Sequence, residues 1–198
     1  SLIILHLREF IKRKLSDLNM ATLPFMTQEK ETLESLRISK PANANLAHYM
    51  SEQAHCPIHR NTMIKYFASG EEKFEELLIQ LKKAEKYIFL EYFIVERGYM
   101  WDSILEILIE KVEQGVEVRF MYDGMCSMIQ LPYHYDRTMR KYGIKCKMFS
   151  RIRPVFSSYQ NNRDHRKICV IDGKVGFTGG INLADEYINE IHPFGRWK

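Results

Sequence analysis

The stretch His165-Arg166-Lys167-Ile168-Cys169-Val170-Ile171-Asp172-Gly173-Lys174-Val175-Gly176-Phe177-Thr178-Gly179-Gly180-Ile181-Asn182 gathers an imidazole, an ammonium, a carboxylate, a glycine pair and a carboxamide. The β-branched Ile168, Val170 and Val175 flank Asp172-Gly173, the signal for a tight turn between antiparallel strands. His165 and Lys167 then lie on the incoming strand, two residues apart and on one side, with Arg166 turned away. A lysine can hold the non-bridging oxygens of a phosphodiester while a neutral imidazole attacks phosphorus to form a covalent intermediate. The same ammonium disfavours a second positive charge and keeps the imidazole nucleophilic. Gly179-Gly180 let backbone N–H groups approach a phosphate closely, and Asn182 stands where a new helix can begin. This chemistry needs no metal.

The spacing His-x-Lys, four residues, Asp, six residues, Gly-Gly-x-Asn resembles the His-Lys-Asp motif of the phospholipase D superfamily. The longer text Asn162-Arg163-Asp164-His165-Arg166-Lys167 through Gly179-Gly180-Ile181-Asn182-Leu183-Ala184-Asp185-Glu186-Tyr187 resembles the bacterial cardiolipin synthases within it. Leu90-Glu91-Tyr92-Phe93-Ile94 and Tyr122-Asp123-Gly124-Met125-Cys126-Ser127 share the resemblance, the latter departing from the family's usual glycine at Cys126. The likeness covers Pro57 to the C-terminus well and the first third poorly.

The resemblance implies two copies of the motif, one histidine attacking phosphorus and the other protonating the leaving alcohol before activating the incoming one. None of His6, His48, His55, His59, His134 and His192 begins a second His-x-Lys. The 198 residues therefore read as an N-terminal segment plus a first catalytic half, whose partner is a second half in the same full-length chain. In relatives the Trp-basic pair, here Trp197-Lys198, is followed by an aspartate that orients the motif histidine. The expected catalytic residues are His165, Lys167 and Asp172, with Asp172 also open to a structural role at its turn. Asp185 and Glu186 are further candidates for orienting His165. Gly179, Gly180, Asn182, Glu91 and Ser127 are the expected substrate-binding residues.

Three functions compete. The first is a phosphatidyltransferase of cardiolipin-synthase type, joining two phosphatidylglycerols with release of glycerol through a phosphohistidine. The second is a phosphodiesterase or nuclease completed by homodimerisation, and the third a non-catalytic half that binds anionic lipid. The residues around the motif favour the first. Its partners are then anionic phospholipid and a membrane surface at the cytoplasmic face of the cell membrane, with no cofactor, metal or nucleic acid expected.

Composition suits one good core: 45% of the residues are hydrophobic, net charge is +4 and the pI about 8.8. Basic residues crowd the approach to the motif, at Arg137, Arg140, Lys141, Lys145, Lys147, Arg151, Arg153, Arg163 and Lys167. Phosphate of lipid or nucleic acid would be drawn there. Cys56, Cys126, Cys146 and Cys169 lack C-x-x-C spacing, which argues against a zinc ribbon or a disulfide framework. His55, Cys56 and His59 lack a fourth metal ligand at usual spacing.

The pattern places Ile3, Leu7, Ile11, Leu15 and Leu18 on one face of a helix over residues 2–18 ringed by Arg8, Lys12, Arg13 and Lys14. It reads as a packed helix or as the cytoplasmic end of an upstream anchor. Helices follow at 27–37, with Thr27 as N-cap, and at 42–53, with Pro41 between. The division expected is a helical lead-in over 1–56 and a catalytic half over 57–198. From there the fold class is α/β, a mostly parallel sheet flanked by helices. Strands are predicted at 62–68, 87–95, 116–122 and 144–149, and helices at 70–83, 100–113 and 135–142. Residues 150–162 read as a loop whose Arg151, Arg153, Phe156 and Tyr159 admit a headgroup. Functional side chains should gather at the strand ends, where Glu91, Tyr122, Asp123 and Ser127 fall.

Overall fold

The computed structural model describes residues 2–125, 129–150, 163–193 and 195, with side chains from residue 9 onward except at 10, 11, 19 and 25. Ser127, Cys126, Arg151, Arg153, Phe156, Tyr159 and the Trp197-Lys198 pair lie outside the described residues. The chain divides into two compact units, residues 1–65 and 66–198.

The first unit is helical: α1 (Leu2–Thr22), α2 (Lys30–Ser39) and α3 (Pro41–Ala54). Pro41 opens α3 at its first turn, where a missing N–H costs no hydrogen bond. Thr27 is not the N-cap expected, since α2 starts three residues later and the Thr27 hydroxyl donates to the Pro24 carbonyl at 3.3 Å. The small core of this unit is Leu33, Ala44 and Ala47, with Leu36 and Ile58 packed against it. Gln28 ties the following segment down, its Oε1 accepting from Ile58 N at 2.9 Å and its Nε2 donating to Ile58 O at 3.4 Å. No described helix is long and apolar enough to cross a membrane.

No strand forms at 62–68. Met63, Ile64 and Tyr66 are 98%, 91% and 87% exposed, and β-branched or aromatic residues make a strand only where a neighbour supplies a ladder and a packed face.

In the second unit α4 (Gly70–Lys82) starts at a capping box. The Ser69 Oγ accepts from Glu72 N at 3.3 Å and the Glu72 carboxylate reaches back to Ala68 N at 3.2 Å. Then follow β1 (Tyr87–Tyr92), α5 (Tyr99–Glu113), β2 (Glu117–Asp123), α6 (Tyr135–Lys141), β3 (Lys145–Phe149), β4 (Lys167–Ile171) and β5 (Val175–Thr178). The sheet order is β3-β2-β1-β4-β5, with β1, β2 and β3 parallel and the β4–β5 hairpin added antiparallel beside β1. Asp172 and Gly173 both take positive φ, 54° and 67°, as a type I′ turn requires, so the Asp-Gly signal and the α/β class are realised as expected.

One face of the sheet carries Ile88, Leu90, Tyr92, Val118, Phe120, Tyr122, Cys146, Cys169 and Ile171, all buried, and α4, α5 and α6 pack on it through Leu77, Leu81, Trp101, Ile104, Leu108 and Met139. Each such side chain contributes about 1.5–3 kcal/mol when buried. The alternate residues Phe89, Glu91, Arg119, Met121, Lys145, Lys147, Ile168 and Val170 line an open concavity of about 400 Å³ on the opposite face. The described helices thus gather on one face rather than both, because the second is interrupted by charge and cannot be made dry.

Candidate active site

The parallel strands β1, β2 and β3 end at the edge of the sheet where β4 begins and β5 finishes. The register fixes this, since Tyr92 pairs with Lys167 and Ile168 with Thr178. His165 precedes β4 instead of lying on it, because β1 ends at Tyr92 and offers no ladder beyond Lys167. Its exposed imidazole rests on the ring of Phe93, with centroids 4.7 Å apart. Lys167 is only 4% exposed, and its Nζ lies 5.2 Å from the same Phe93 ring while donating to the His165 carbonyl at 2.8 Å. The imidazole and the ammonium therefore share one aromatic support. The exposed turn Gly179-Gly180 continues β5 past this edge, across from the start of β4.

Arg166 turns to the other side. Its guanidinium contacts the Glu91 carboxylate at 2.5 Å and the Asp164 carboxylate at 2.9 Å. Burial pushes the Glu91 carboxyl up to about 7, and the hydrogen bond it shares with Asp164 adds to the effect. Burial opposes ionisation of Asp164 too, but hydrogen bonds from Glu91 and Arg166 outweigh it and hold Asp164 below the usual range. The pair thus holds one proton, on Glu91, at neutral pH or just below. Glu91 stands on the face opposite Lys167, and its contacts brace the segment that carries His165.

Asp123, fully buried at the end of β2, braces it from the other side. Its carboxylate accepts from Asp164 N at 3.1 Å, Met125 N at 2.8 Å and Arg163 Nη1 at 3.3 Å. Asn182, 3% exposed, accepts from Ile94 N at 3.0 Å and donates to the Tyr187 hydroxyl at 2.9 Å. Its carboxamide is engaged in holding the Gly179-Gly180 turn to the end of β1. That is a positioning task.

Two carboxylates prove to serve the fold. Asp172 lies at the far end of β4 from His165, where it accepts from Glu85 N, Lys86 N and Tyr87 N at 2.9, 2.8 and 2.8 Å. The catalytic assignment of Asp172 gives way to its structural alternative, since five residues of extended strand separate it from the imidazole. Asp185 caps α5 from across the chain, accepting from Tyr99 N at 2.9 Å and Met100 N at 2.7 Å, and is not free to orient His165. Glu186 sits beside it in a short 3-10 turn (Asp185–Ile188), and no described contact joins it to His165.

Among the described residues, three of the nine in the basic run pair with acids: Arg140 with Asp136, Lys145 with Glu117 and Arg163 with Asp123. Residue patterns missed Phe93, Asp164 and Arg166 as parts of the site. Their advance signal was their place in the two stretches, Leu90 to Ile94 and Asn162 to Lys167, that carry the family resemblance. Among the described residues no three His, Cys, Asp or Glu side chains gather as a metal site.

An α/β sheet with a histidine and a lysine at the carboxyl ends of its parallel strands, the lysine on the first strand of an Asp-Gly hairpin, defines a phospholipase D-like domain. Residues 77–192 match the family model described as cardiolipin synthase, PLD-like domain, and the chain belongs to that family. It is 50% identical to an uncharacterised protein of Streptococcus mutans, over 97% of this chain and 41% of the relative. It is 36% identical to a cardiolipin synthase of Geobacillus sp., over 96% of this chain and 38% of that enzyme. The chain thus spans about two fifths of the length of these relatives. The crystal structure of Nuc, a phospholipase D family member from Salmonella typhimurium, aligns with 59% of this chain and 68% of its own at 17% identity, TM-score 0.43.

Proposed function

We propose that this chain is the first catalytic half of a phosphatidyltransferase of cardiolipin-synthase type. The observation that carries the reading is the exposed His165 imidazole held on Phe93 beside the Lys167 ammonium, in a chain belonging to the cardiolipin synthase family. His165 attacks the phosphorus of phosphatidylglycerol, an N–P bond forms and the P–O bond to glycerol breaks. Glycerol leaves with a proton from the histidine of a second half in the same full-length chain. That histidine then takes the proton of a hydroxyl on a second phosphatidylglycerol, whose oxygen displaces His165 to give cardiolipin. Lys167 and the N–H groups of Gly179 and Gly180 neutralise the charge on the non-bridging oxygens. Asp123, Asp164, Glu91 and Asn182 hold the frame.

The basic residues after the apolar start of α1, at Arg8, Lys12, Arg13 and Lys14, favour work at the cytoplasmic face of a membrane. The test is the full-length protein with labelled phosphatidylglycerol in vesicles. Cardiolipin and free glycerol should appear in equal amounts, and His165→Ala should abolish both. Unchanged turnover in that variant rejects His165 as the nucleophile, and DNA cleavage without cardiolipin rejects the transferase.

A further inference from the structure

Beneath the start of β4 lies a group of polar side chains that the proposed chemistry does not use. Lys73, on the first turn of α4, is 7% exposed, and Tyr92 on β1 is 2% exposed. Among the described residues, nothing hydrogen-bonds to Lys73 Nζ or to Tyr92 Oη. Both interact electrostatically with Cys169, which stands two positions along β4 from Lys167 and on the same face. Cys169 cannot balance the ammonium, because burial pushes its thiol up to about 12 and leaves it neutral. Burial likewise holds Lys73 below its ordinary pKa, as it does for any cation lacking a counter-charge.

The position of Lys73 indicates what is meant to meet it. Its Nζ lies 3.6 Å from where a Cβ on Gly179 would stand, and Gly179 takes a φ of 152° that side chains rarely adopt. A side chain there would fill the space over the ammonium and require an unfavourable backbone. The bare Gly179-Gly180 turn therefore leaves Lys73 reachable from the end of the sheet where His165 and Lys167 stand.

We propose that Lys73 is a second cation of the phosphate site, binding an oxyanion of a tetrahedral phosphate through the gap at Gly179. An unpartnered ammonium in an apolar core is costly, and an incoming anion recovers that cost as binding free energy. Lys167 then holds the phosphate at the His165 side while Lys73 holds it from below. The ligand chemistry is a phosphate oxyanion, whether on a lipid headgroup or free. The inference rests on the reading that this end of the sheet receives phosphate esters.

The experiment uses the full-length protein, Lys73→Met and Lys73→Arg, with two probes: inorganic phosphate, read as thermal protection, and phosphatidylglycerol vesicles, read as steady-state cardiolipin formation. Lys73→Met should fold with an unchanged or higher Tm, because it removes an unpaired buried charge. Its affinity for inorganic phosphate should fall on the order of tenfold or more, and its kcat/KM by a similar factor, chiefly through KM. Lys73→Arg should keep most of the phosphate protection. Wild-type phosphate binding and turnover in Lys73→Met overturn the proposal. So does a variant that fails to fold or loses Tm in step with activity, since the ammonium would then be structural. If the wild type makes no cardiolipin but its phosphate protection depends on Lys73, the site stands and the transferase reading falls.

Discussion

Replacing Asp172 by asparagine separates the two roles its place in the motif suggests. The native carboxylate accepts three backbone N–H groups, with Oδ1 taking Lys86 and Tyr87 and Oδ2 taking Glu85. Asparagine tolerates the positive φ of 54° at this turn, so backbone strain is not introduced. It keeps one acceptor oxygen, loses the charge and turns an amide N–H toward Glu85 N. Hydrogen bonds to a charged group contribute roughly 1.5–3 kcal/mol and neutral ones roughly 1, so one bond lost and two weakened cost about 2–3 kcal/mol. The assay is native-state hydrogen exchange at the Glu85, Lys86 and Tyr87 amides in the full-length protein, together with turnover. Exchange should quicken roughly 30- to 150-fold while kcat/KM stays within about twofold at temperatures where the fold is intact. Burial of Asp172 opposes its ionisation, but the three N–H groups prevail and hold it below the usual 3.8. Its contribution is therefore full above that value and lost as pH falls through the lower folded pKa, so wild type and variant should converge in acid. Loss of turnover without faster exchange would refute the structural role and return Asp172 to the chemistry.

Asp185→Ala removes the cap of α5 and should cost about 1–2 kcal/mol, seen as a fall of a few degrees in Tm. Gly98→Ala places a Cβ against the same carboxylate, so the double variant should lose less than the sum of the two singles; full additivity would show that they act independently. Glu91→Gln tests the shared proton. The folded pKa of about 7 exceeds the ordinary 4.5, so the contribution of Glu91 is complete below about 4.5 and lost as pH rises through about 7. The wild type should lose on the order of 2 kcal/mol across that window and the variant very little, as urea titrations at each pH will show; parallel curves would contradict the pairing with Asp164.

What the residue pattern revealed was local. The Asp172-Gly173 turn and the helices α4 and α5 are written in neighbours a few positions apart, and each formed where periodicity and turn chemistry place it, while the capping box at Ser69 emerged only in the structure. The segment 62–68 has the composition of a strand but no partner, a fact that exists only in three dimensions. The start of α5 has Gly98 where a capping side chain would announce it, because the cap comes from Asp185. In the site, the kinship of His165 and Lys167 was legible from spacing. Their common seat on Phe93 and the brace of Arg166, Glu91 and Asp164 were not, since strand pairing brings those residues together across more than seventy positions.

The two carboxylate clamps also set a timetable. Asp172 fastens the chain entering β1 and Asp185 fastens the first turn of α5, in each case about 85 residues upstream. During synthesis, β1 through β3 and their helices emerge before either clamp exists, and loop closure over that separation is slow compared with local helix formation. The parallel portion of the sheet must therefore wait, half-assembled and with its β1 edge unpaired, until the hairpin that begins at Lys167 arrives. The segment that follows the parallel strands is thus the one that closes the fold, so a ribosome-bound chain halted short of Asp172 should remain open to protease at the β1 entry and at α5.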